Sequence, residues 1–458
     1  MQPKKLSRRK FLKLGVAGSA TFLLASCASD AATPEAQSTE PAPTVPPPED
    51  IDLTYWHPFG GAREQIMQDT IIDPFNEANE NITVAQVLWT GGDRMEKFVA
   101  SVAAGTPPDV MMFRSEDLPA FAVQGTFLEL DAYVKMTGLK PDEIFYKAEI
   151  DARRFRGKTY LLPTVSSAGQ YIAYYNVARF EEAGFDPEET IETWEAWEAA
   201  EQAFIDKSTD PPNWFCNVDY FSVGPTFLVW LYENGGKYIS DDLTEIAFND
   251  DRGVETMQWI HNRMMAQSES YEDINPGTGA SDYSLTLRKN FVSGQTPILI
   301  DGPWMFTTLA EEFDFPIDKY RIHHIPYSTA HLDAFPGAVA IGGWGNGIPT
   351  GGKNHDAAWS FVEFSTTTPV SLDFTLVQGR PNPVKEYNAD KGYRDANPYW
   401  DTVIEITEAD FALSVVTVLP EIRQAMTDAQ EEVMYGAKEI DQALDEAAET
   451  AQRALDEA

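Results

Sequence analysis

The chain contains very little cysteine. Of its 458 residues, only Cys27 and Cys216 are cysteines, and Cys27 lies in a segment that is predicted to be processed. Cys216 is then left without a partner, so the sequence does not predict a disulfide framework. Because no motif surrounds Cys216, we expect it to be a free, buried thiol.

Positive charge is also scarce. The chain has 34 Lys and Arg residues against 72 Asp and Glu residues, which gives a formal net charge of −38. Such a chain repels nucleic acid and anionic lipid headgroups, and no basic stripe offsets the imbalance. The same field disfavours anionic small ligands unless a local arginine pocket overrides it. The composition therefore predicts no nucleic-acid partner and favours a neutral or cationic small ligand.

Motifs that carry catalysis or bind cofactors are missing as well. The chain has no Gly-Lys-Ser/Thr phosphate loop, and residues 342–347 lack the GxGxxG spacing of a dinucleotide site. No further Cys or His at ligand spacing accompanies His323 and His324, so we predict no metal site. Glu116 and Asp117 are adjacent, whereas glycoside hydrolysis needs two carboxyl groups about 5–10 Å apart across the bond. We therefore predict no catalysis and no cofactor.

The N-terminal segment has the pattern of an export signal. Ser7–Lys13 matches the twin-arginine signal, and the apolar run Leu14–Ala25 is too short to span a bilayer comfortably. Leu24–Cys27 resembles the bacterial lipobox, in which the cysteine is lipidated and the chain is cut before it. We predict a twin-arginine lipoprotein signal peptide at 1–26 and lipidation of Cys27. The alternative is an ordinary signal peptide with a chance cysteine.

Residues 27–50 are rich in Ala, Ser, Thr, Pro and acidic residues, and they end in a run of three prolines followed by two acids. Such a composition cannot bury a core, and the prolines stiffen the chain. We predict a lipid-anchored, disordered linker here. The anchor would be the acyl chains on Cys27, with no transmembrane helix.

From Ile51 onward the pattern alternates strands and helices. Strands are predicted at 51–56, 82–87 and 109–113, with helices at 63–79 and 93–104 between them, and similar units follow. This order predicts a parallel sheet with right-handed crossovers. The length exceeds the size at which a single core usually divides, so we expect two lobes.

One later stretch, Phe291–Thr308, combines a buried strand with a candidate site. Its apolar run Pro297–Ile300 has the length and composition of a buried parallel strand, which Asp301-Gly302-Pro303 then ends. Ligands of open α/β sheets lie beyond the carboxyl ends of strands, so Trp304 is a candidate stacking platform. The alternative is a tryptophan of the core.

An ordered set of landmarks runs along the chain: Trp56 at a strand end, Gly105–Val110, Gly157–Pro163, Tyr175-Asn176, Thr193–Glu195, Phe291–Trp304 and Gly342–Gly345. This set resembles the extracellular solute-binding proteins of family 1, the sugar-binding lipoproteins of ATP-binding-cassette (ABC) importers, over about residues 51–450. The resemblance implies a periplasmic-binding-protein-like α/β fold, with two lobes of mainly parallel sheets flanked by helices and joined by crossing hinge segments. The implied lobes are 51–168 with 345–390 and 169–344 with 391–458.

The resemblance also implies where a ligand would bind. A sugar presents hydroxyls and apolar C–H faces, so its site needs aromatic platforms and bidentate hydrogen-bonding groups. A solvated acidic loop stays open as the alternative at 116–117, as does a hinge role for Trp344. The candidate ligand-binding residues are Trp56, His57, Phe113, Ser115, Glu116, Asp117, Gln170, Tyr171, Thr226, Asp301, Trp304, Trp344, Gly345 and Arg380.

The function implied is that of an exported, lipid-anchored and monomeric carbohydrate binder. It would lie on the outer face of the cytoplasmic membrane, in the periplasm or at the cell surface, and deliver ligand to an ABC permease. Gly224-Pro225-Thr226 replaces the acidic motif of the maltose binder, which argues against maltose. One alternative is a binder of glycerol phosphate or its phosphodiester, although few Arg or Lys residues lie at the predicted loops. The other is a glycan-binding adhesion lipoprotein.

Overall fold

The computed structural model describes residues 49–458, except 91–92, 167–170, 190, 207, 209–211, 222–223, 269, 275–279, 332–333, 335–338, 341–342 and 410. The predicted signal peptide, Cys27, most of the linker and Gln170 therefore lie outside the described residues. Among the described helices, none is both long and apolar enough to cross a lipid bilayer.

Strands and helices alternate through the chain, as the sequence predicts. The described strands are β1 Ile51–His57, β2 Ile82–Leu88, β3 Val110–Arg114, β4 Arg154–Phe155, β5 Lys158–Thr159, β6 Leu161–Val165, β7 Ile172–Asn176, β8 Tyr220–Phe221, β9 Gly224–Pro225, β10 Ile298–Asp301, β11 Tyr320–His324, β12 Val339–Ala340, β13 Trp344–Gly347 and β14 Phe411–Ala412. The described α-helices are α1 Ala62–Met67, α2 Asp73–Ala78, α3 Arg94–Ala103, α4 Leu118–Val123, α5 Asp131–Thr137, α6 Pro141–Ile144, α7 Lys147–Asp151, α8 Val177–Ala183, α9 Trp194–Phe204, α10 Phe227–Glu233, α11 Asp251–Gln267, α12 Tyr271–Ile274, α13 Ala280–Ser293, α14 Met305–Glu312, α15 His355–Thr367, α16 Pro369–Val377, α17 Lys391–Ala396, α18 Trp400–Ala409, α19 Leu419–Met434 and α20 Ile440–Asp456. Short non-α turns are the π-helical Gln68–Ile72 and the 3-10 turns Ile317–Lys319 and Lys385–Ala389.

The first sheet has the strand order β2-β1-β3-β13-β6. The pairs β1-β2 and β1-β3 are parallel, which confirms the predicted βαβαβ start of the chain. β13 returns from far along the sequence and pairs antiparallel with both β3 and β6. Side chains of β3 alternate between two buried clusters, with Val110 and Met112 on one face and Met111 and Phe113 on the other. Helices thus cover both faces of this sheet.

The second sheet corrects one prediction. Its order is β10-β7-β11, and both pairs are antiparallel, so the apolar run ending at Ile300 is buried as predicted but is not a parallel strand. Ile298 and Ile300 enter one core cluster and Leu299 enters another. Burial on both faces, and not strand direction, produces the continuous apolar run, because a strand covered on both sides needs no polar face.

Local signals set the helix ends that flank this sheet. The Asn176 side chain accepts a hydrogen bond from the Arg179 N–H at the start of α8, and the Thr193 hydroxyl accepts one from Ala196 N at the start of α9. Near the C-terminus, Gly436 lies between α19 and α20 and has a φ of 66°. Cys216 is a free, buried thiol, as predicted.

Candidate ligand-binding site

Three aromatic rings and two guanidinium groups follow one another as successive neighbours, and we call this set the aromatic–arginine row. Its members in order are Arg114, Trp344, Phe59, Arg380 and Trp304. The Arg114 Cζ lies 5.8 Å from the Trp344 ring centroid, and the rings of Trp344 and Phe59 are 6.2 Å apart. The Arg380 Cζ lies 5.9 Å from the Phe59 centroid and 4.8 Å from the Trp304 centroid. The structure thus brings together three predicted site residues, Trp304, Trp344 and Arg380.

Trp304 takes its position from the end of β10. The indole lies against the backbone of Gly302, where an added Cβ atom would be 2.2 Å from Cη2 of the ring. The ring is half-buried and only partly packed against the core cluster of the second sheet. Part of it therefore stays available to a ligand, as the platform hypothesis requires.

Asp301, just before this turn, is fully buried and has partners in the protein. Its Oδ1 accepts a hydrogen bond from Gly302 N at 2.8 Å, and its Oδ2 lies 3.0 Å from Nε of Arg288. The carboxylate therefore holds the turn that presents Trp304. Its role as a direct ligand contact stays a prediction beside this positioning role.

Arg380 follows Gly379, whose φ of 64° turns the chain after α16. The Arg380 N–H donates to the carbonyl of Thr375 at 3.0 Å, which fixes the backbone. The side chain is only 7% exposed, and its Nε has no hydrogen-bond partner among the described residues. Burial, together with the positive charge of Arg63, lowers the pKa of Arg380 to about 9, although the negative charge of Asp301 partly offsets both effects. The guanidinium is therefore still charged at neutral pH.

The acidic loop after β3 lies at the other end of the row. Glu116 is 4% exposed and forms an ion pair with Arg114, and Arg423 Nη1 on α19 lies 3.8 Å from its Oε1. Ser115 Oγ donates to the carbonyl of Gly343 at 3.1 Å. Burial raises the pKa of Asp117, although nearby arginines oppose the rise. Glu116 is thus buried and Asp117 half-buried among cations, so the two acids do not form a solvated loop tip.

A cavity of about 240 Å³ lies between this loop and α19. Its lining is Arg114, Glu116, Asp117, Leu419, Pro420, Arg423, Gln424 and Thr427. The Trp344 backbone beside it is held firmly, because its carbonyl accepts hydrogen bonds from Arg153 at 3.0 Å and Thr164 at 3.1 Å.

His57 is buried and hydrogen-bonded within the protein. Its ring is fully buried, with Nδ1 3.3 Å from Phe59 N and Nε2 2.8 Å from Oε1 of Gln86. Because an N–H can only donate, Nδ1 accepts from Phe59, and Nε2 then carries the proton donated to Gln86. Burial lowers the pKa of His57. The side chain therefore positions the loop of Phe59, a member of the row.

Several other predicted residues lie in the core. Phe113 is fully buried, with its ring 4.9 Å from that of Phe127, so it is not an exposed platform. Thr226 is fully buried, and its hydroxyl donates to the carbonyl of Val218 at 2.5 Å. Tyr171 is buried in the core of the second sheet, and Trp56 is half-buried against the Phe113 cluster.

Gly345 serves strand packing. A Cβ atom there would lie 2.8 Å from Cβ of Leu161 and 2.9 Å from the carbonyl oxygen of Leu162. The glycine therefore lets β13 approach β6 closely, and its role in ligand binding stays a prediction.

The sequence reasoning missed Phe59 and the arginines around the row. Phe59 follows β1 in a loop, as Trp304 follows β10, and that shared position was an available signal. Arg63, Arg94, Arg288 and Arg423 lie on helices α1, α3, α13 and α19. The sequence analysis considered cations only at the predicted loops, so it did not include these helical arginines. No local signal marks a helical arginine that points toward a distant loop.

Within the described residues, no group of three or more His, Cys, Asp or Glu side chains is arranged to hold a metal ion. His323 is buried in β11, and its Nε2 lies 3.1 Å from the carbonyl oxygen of Pro187. His323 and His324 therefore do not form an exposed pair of histidines.

Sequence comparison gives relatives along the whole described chain. The sn-glycerol-3-phosphate-binding periplasmic protein of Agrobacterium fabrum is 22% identical over 427 residues, covering 89% of this chain and 93% of the relative. The maltotriose-binding protein of Pyrococcus abyssi is 24% identical over 281 residues, covering 59% of this chain and 53% of the relative.

Solved structures share the fold. The GacH receptor of Streptomyces glaucescens, described unliganded and with acarbose, superposes with a TM-score of 0.74 at 19% identity, covering 89% of this chain and 99% of that one. An ABC substrate-binding protein of Listeria monocytogenes in complex with cycloalternan gives 0.73 at 20% identity, covering 89% and 100%. The predicted periplasmic-binding-protein-like α/β fold is thereby confirmed. Residues 58–370 match the family described as bacterial extracellular solute-binding protein, and this chain belongs to that family.

Proposed function

We propose that this protein is the extracellular substrate-binding component of an ABC importer, which binds a carbohydrate in an interlobe cleft and delivers it to the permease. The observation that carries the proposal is the row, in which two half-buried indoles, Trp304 and Trp344, flank buried Arg380 and Phe59. Indole faces suit the C–H faces of a sugar, and a guanidinium fork suits its hydroxyls. The names of the relatives support the same class of ligand.

The proposed lobes are 51–168 with 345–390 and 169–344 with 391–458. Their support is that β13 pairs within the first sheet whereas the preceding β12 pairs with β14, so Ala340 and Trp344 belong to different sheets. On this division Arg380 and Phe59 belong to one lobe and Trp304 to the other. The row then crosses the cleft, and closure of the lobes would change the distance between Trp304 and Arg380.

The protein would be exported, anchored through lipid on Cys27 and monomeric, and it would perform no catalysis. The family match supports an exported solute-binding protein. Binding of glycerol phosphate is the alternative that two relatives' names support. An adhesion lipoprotein would show no saturable response to small ligands.

The test is intrinsic tryptophan fluorescence and thermal unfolding of the purified full-length protein against neutral saccharides, acidic saccharides and glycerol phosphate. We expect a saturable spectral shift and a raised melting temperature, because a ligand stabilises the state that it binds. Trp304→Ala should weaken binding by about 2 kcal/mol, roughly 30-fold, as for a central aromatic anchor. The control is Tyr435→Ala, which removes an aromatic ring that is 47% exposed and lies outside the row. No response to any ligand, or equal losses in both variants, would contradict the proposal.

A further inference from the structure

Arg380 is a buried charge that forms no ion pair with the described residues. Its side chain is 7% exposed, and its Nε has no hydrogen-bond partner within that part of the chain. The guanidinium lies over two aromatic rings, with its Cζ 4.8 Å from the Trp304 centroid and 5.9 Å from the Phe59 centroid. A cation–π contact offsets part of the cost of removing a charge from water, and a paired oxyanion offsets far more. Among the described residues, therefore, no oxyanion is paired with this guanidinium.

The carboxylates close to Arg380 do not meet this need. Asp301 is occupied by Arg288 and by the Gly302 N–H. Glu312 is exposed and acts on Arg63, a second guanidinium whose charge reaches Arg380. Arg288 pairs with Asp301, Asp301 also acts on Arg380, and the charge of Arg63 reaches both Arg380 and Arg288, in a chain with a net charge of −38. This is the local arginine pocket that can override the field of the whole chain.

Arg114, at the opposite end of the row, is an arginine over an indole that does have a carboxylate partner. It also lies over an indole, at 5.8 Å from the Trp344 centroid, but it is ion-paired with Glu116. The same pairing of arginine and tryptophan thus occurs once with a carboxylate from the protein and once without.

The geometry points to an acidic ligand, and this inference rests on the proposed carbohydrate-binding function. The ligand is a polyhydroxylated molecule that carries an oxyanion, either the carboxylate of an acidic sugar or a phosphate ester. The oxyanion binds the planar fork of Arg380, with Arg63 nearby, while a C–H face of the ligand stacks on Trp304. Bidentate pairing of a guanidinium with an oxyanion is strong and directional, which makes Arg380 the residue that selects acidic over neutral ligands.

The experiment is calorimetric titration of the full-length protein with matched pairs of ligands. One pair is galacturonic acid oligosaccharides against galactose oligosaccharides, and the other is glycerol 3-phosphate against glycerol. We expect the acidic member of one pair to bind at least 100-fold more tightly than its neutral counterpart, and the pair that responds identifies a carboxylate or a phosphate. The affinity for the acidic ligand should fall with added NaCl.

Two variants assign the selectivity to Arg380. Arg380→Gln should weaken the acidic ligand roughly 100-fold and the neutral one less than threefold, whereas Arg380→Lys keeps the charge, loses the fork and should retain part of the selectivity. The control is Arg154→Gln, because Arg154 pairs with Asp142 away from the row. Thermal unfolding without ligand checks that each variant folds, and if Arg380→Gln does not, the selectivity of Arg380→Lys decides.

Neutral saccharides that bind as tightly as acidic ones, with the same affinity in wild type and Arg380→Gln, would overturn the inference and leave the proposed function intact. Absence of saturable binding to every acidic and neutral ligand would overturn both.

Discussion

The two ends of the aromatic–arginine row differ in the charges around their guanidinium groups. At one end Arg114 lies over Trp344 and is ion-paired with Glu116, which Arg423 of α19 also approaches. At the other end Arg380 lies over Trp304, and Asp301, the carboxylate that acts on it, is taken by Arg288. The residue types alone would make the two ends equivalent. The distribution of carboxylates makes one end an ion-pair network, whereas the guanidinium at the other end has no ion pair within the described residues and is the proposed anion site.

The difference separates structural from binding roles. In the proposed lobes, Glu116 belongs to the first and Arg423 to the second, so their contact ties the lobes together without a ligand. Arg380 and Trp304 also belong to different lobes but face each other without a bridging carboxylate. A ligand oxyanion would supply the missing bridge there and favour closure, since it binds the closed arrangement more tightly than the open one.

Removing the Glu116 carboxylate should leave Arg114 without an ion pair, as Arg380 is at the other end of the row. Glu116→Gln leaves Arg114 and Arg423 without their shared carboxylate, and we expect the free energy of unfolding to fall by about 2 kcal/mol. This is below the value for a fully buried pair because the Arg114 side chain is 36% exposed. Urea denaturation measures the change. The control is Glu129→Gln, which breaks the exposed pair with Lys158 and should cost about 0.5 kcal/mol or less. Equal losses in the two variants would show that the network is not structural.

Two glycines beside the two tryptophans test the same contrast. Gly302→Ala places a Cβ 2.2 Å from the Trp304 ring, and the half-buried indole must move, so we expect about tenfold weaker ligand binding, roughly 1.4 kcal/mol. Gly345→Ala places its Cβ against Leu161 and a carbonyl between two strands, so it should lower stability instead. Titration and thermal unfolding of both variants separate the effects. A Gly302→Ala protein that keeps its affinity would mean that Trp304 does not contact the ligand.

The sequence predicted those parts of the site that local order determines. Trp304 follows a buried strand and a Gly-Pro turn, and both signals lie within a few residues of it. Strand and helix positions were also predictable, since the hydrophobic period and the end signals are local. The direction of β10 was not, because burial on both faces gives the same apolar run in parallel and antiparallel strands.

The remaining site residues depend on contacts between distant segments. Phe113 has the identity of a platform, but both faces of β3 are buried and no feature of the strand says which face meets solvent. Arg63 and Arg288 lie on α1 and α13, and only tertiary packing brings them near Arg380. The local cluster of arginines could therefore not be predicted from a sequence whose overall composition is strongly acidic.

The smallest expected effect concerns the position of Phe59 in the row. His57 accepts the Phe59 N–H through Nδ1, and burial lowers the pKa of His57 although Gln86 and Glu64 partly oppose this. In the unfolded chain the ring takes up a proton near pH 6.5, so below that pH the unfolded state binds more protons and stability falls as the pH decreases. We expect this group to contribute a loss of about 1 kcal/mol between pH 6.5 and 5.5, because the ring takes up a proton in the unfolded chain while burial keeps it neutral in the folded protein. His57→Gln keeps an acceptor and a donor without titrating, so its stability should change less over this range than that of the wild type. Identical pH slopes of the unfolding free energy in the two proteins would show that His57 is not the group whose titration lowers the stability at acidic pH.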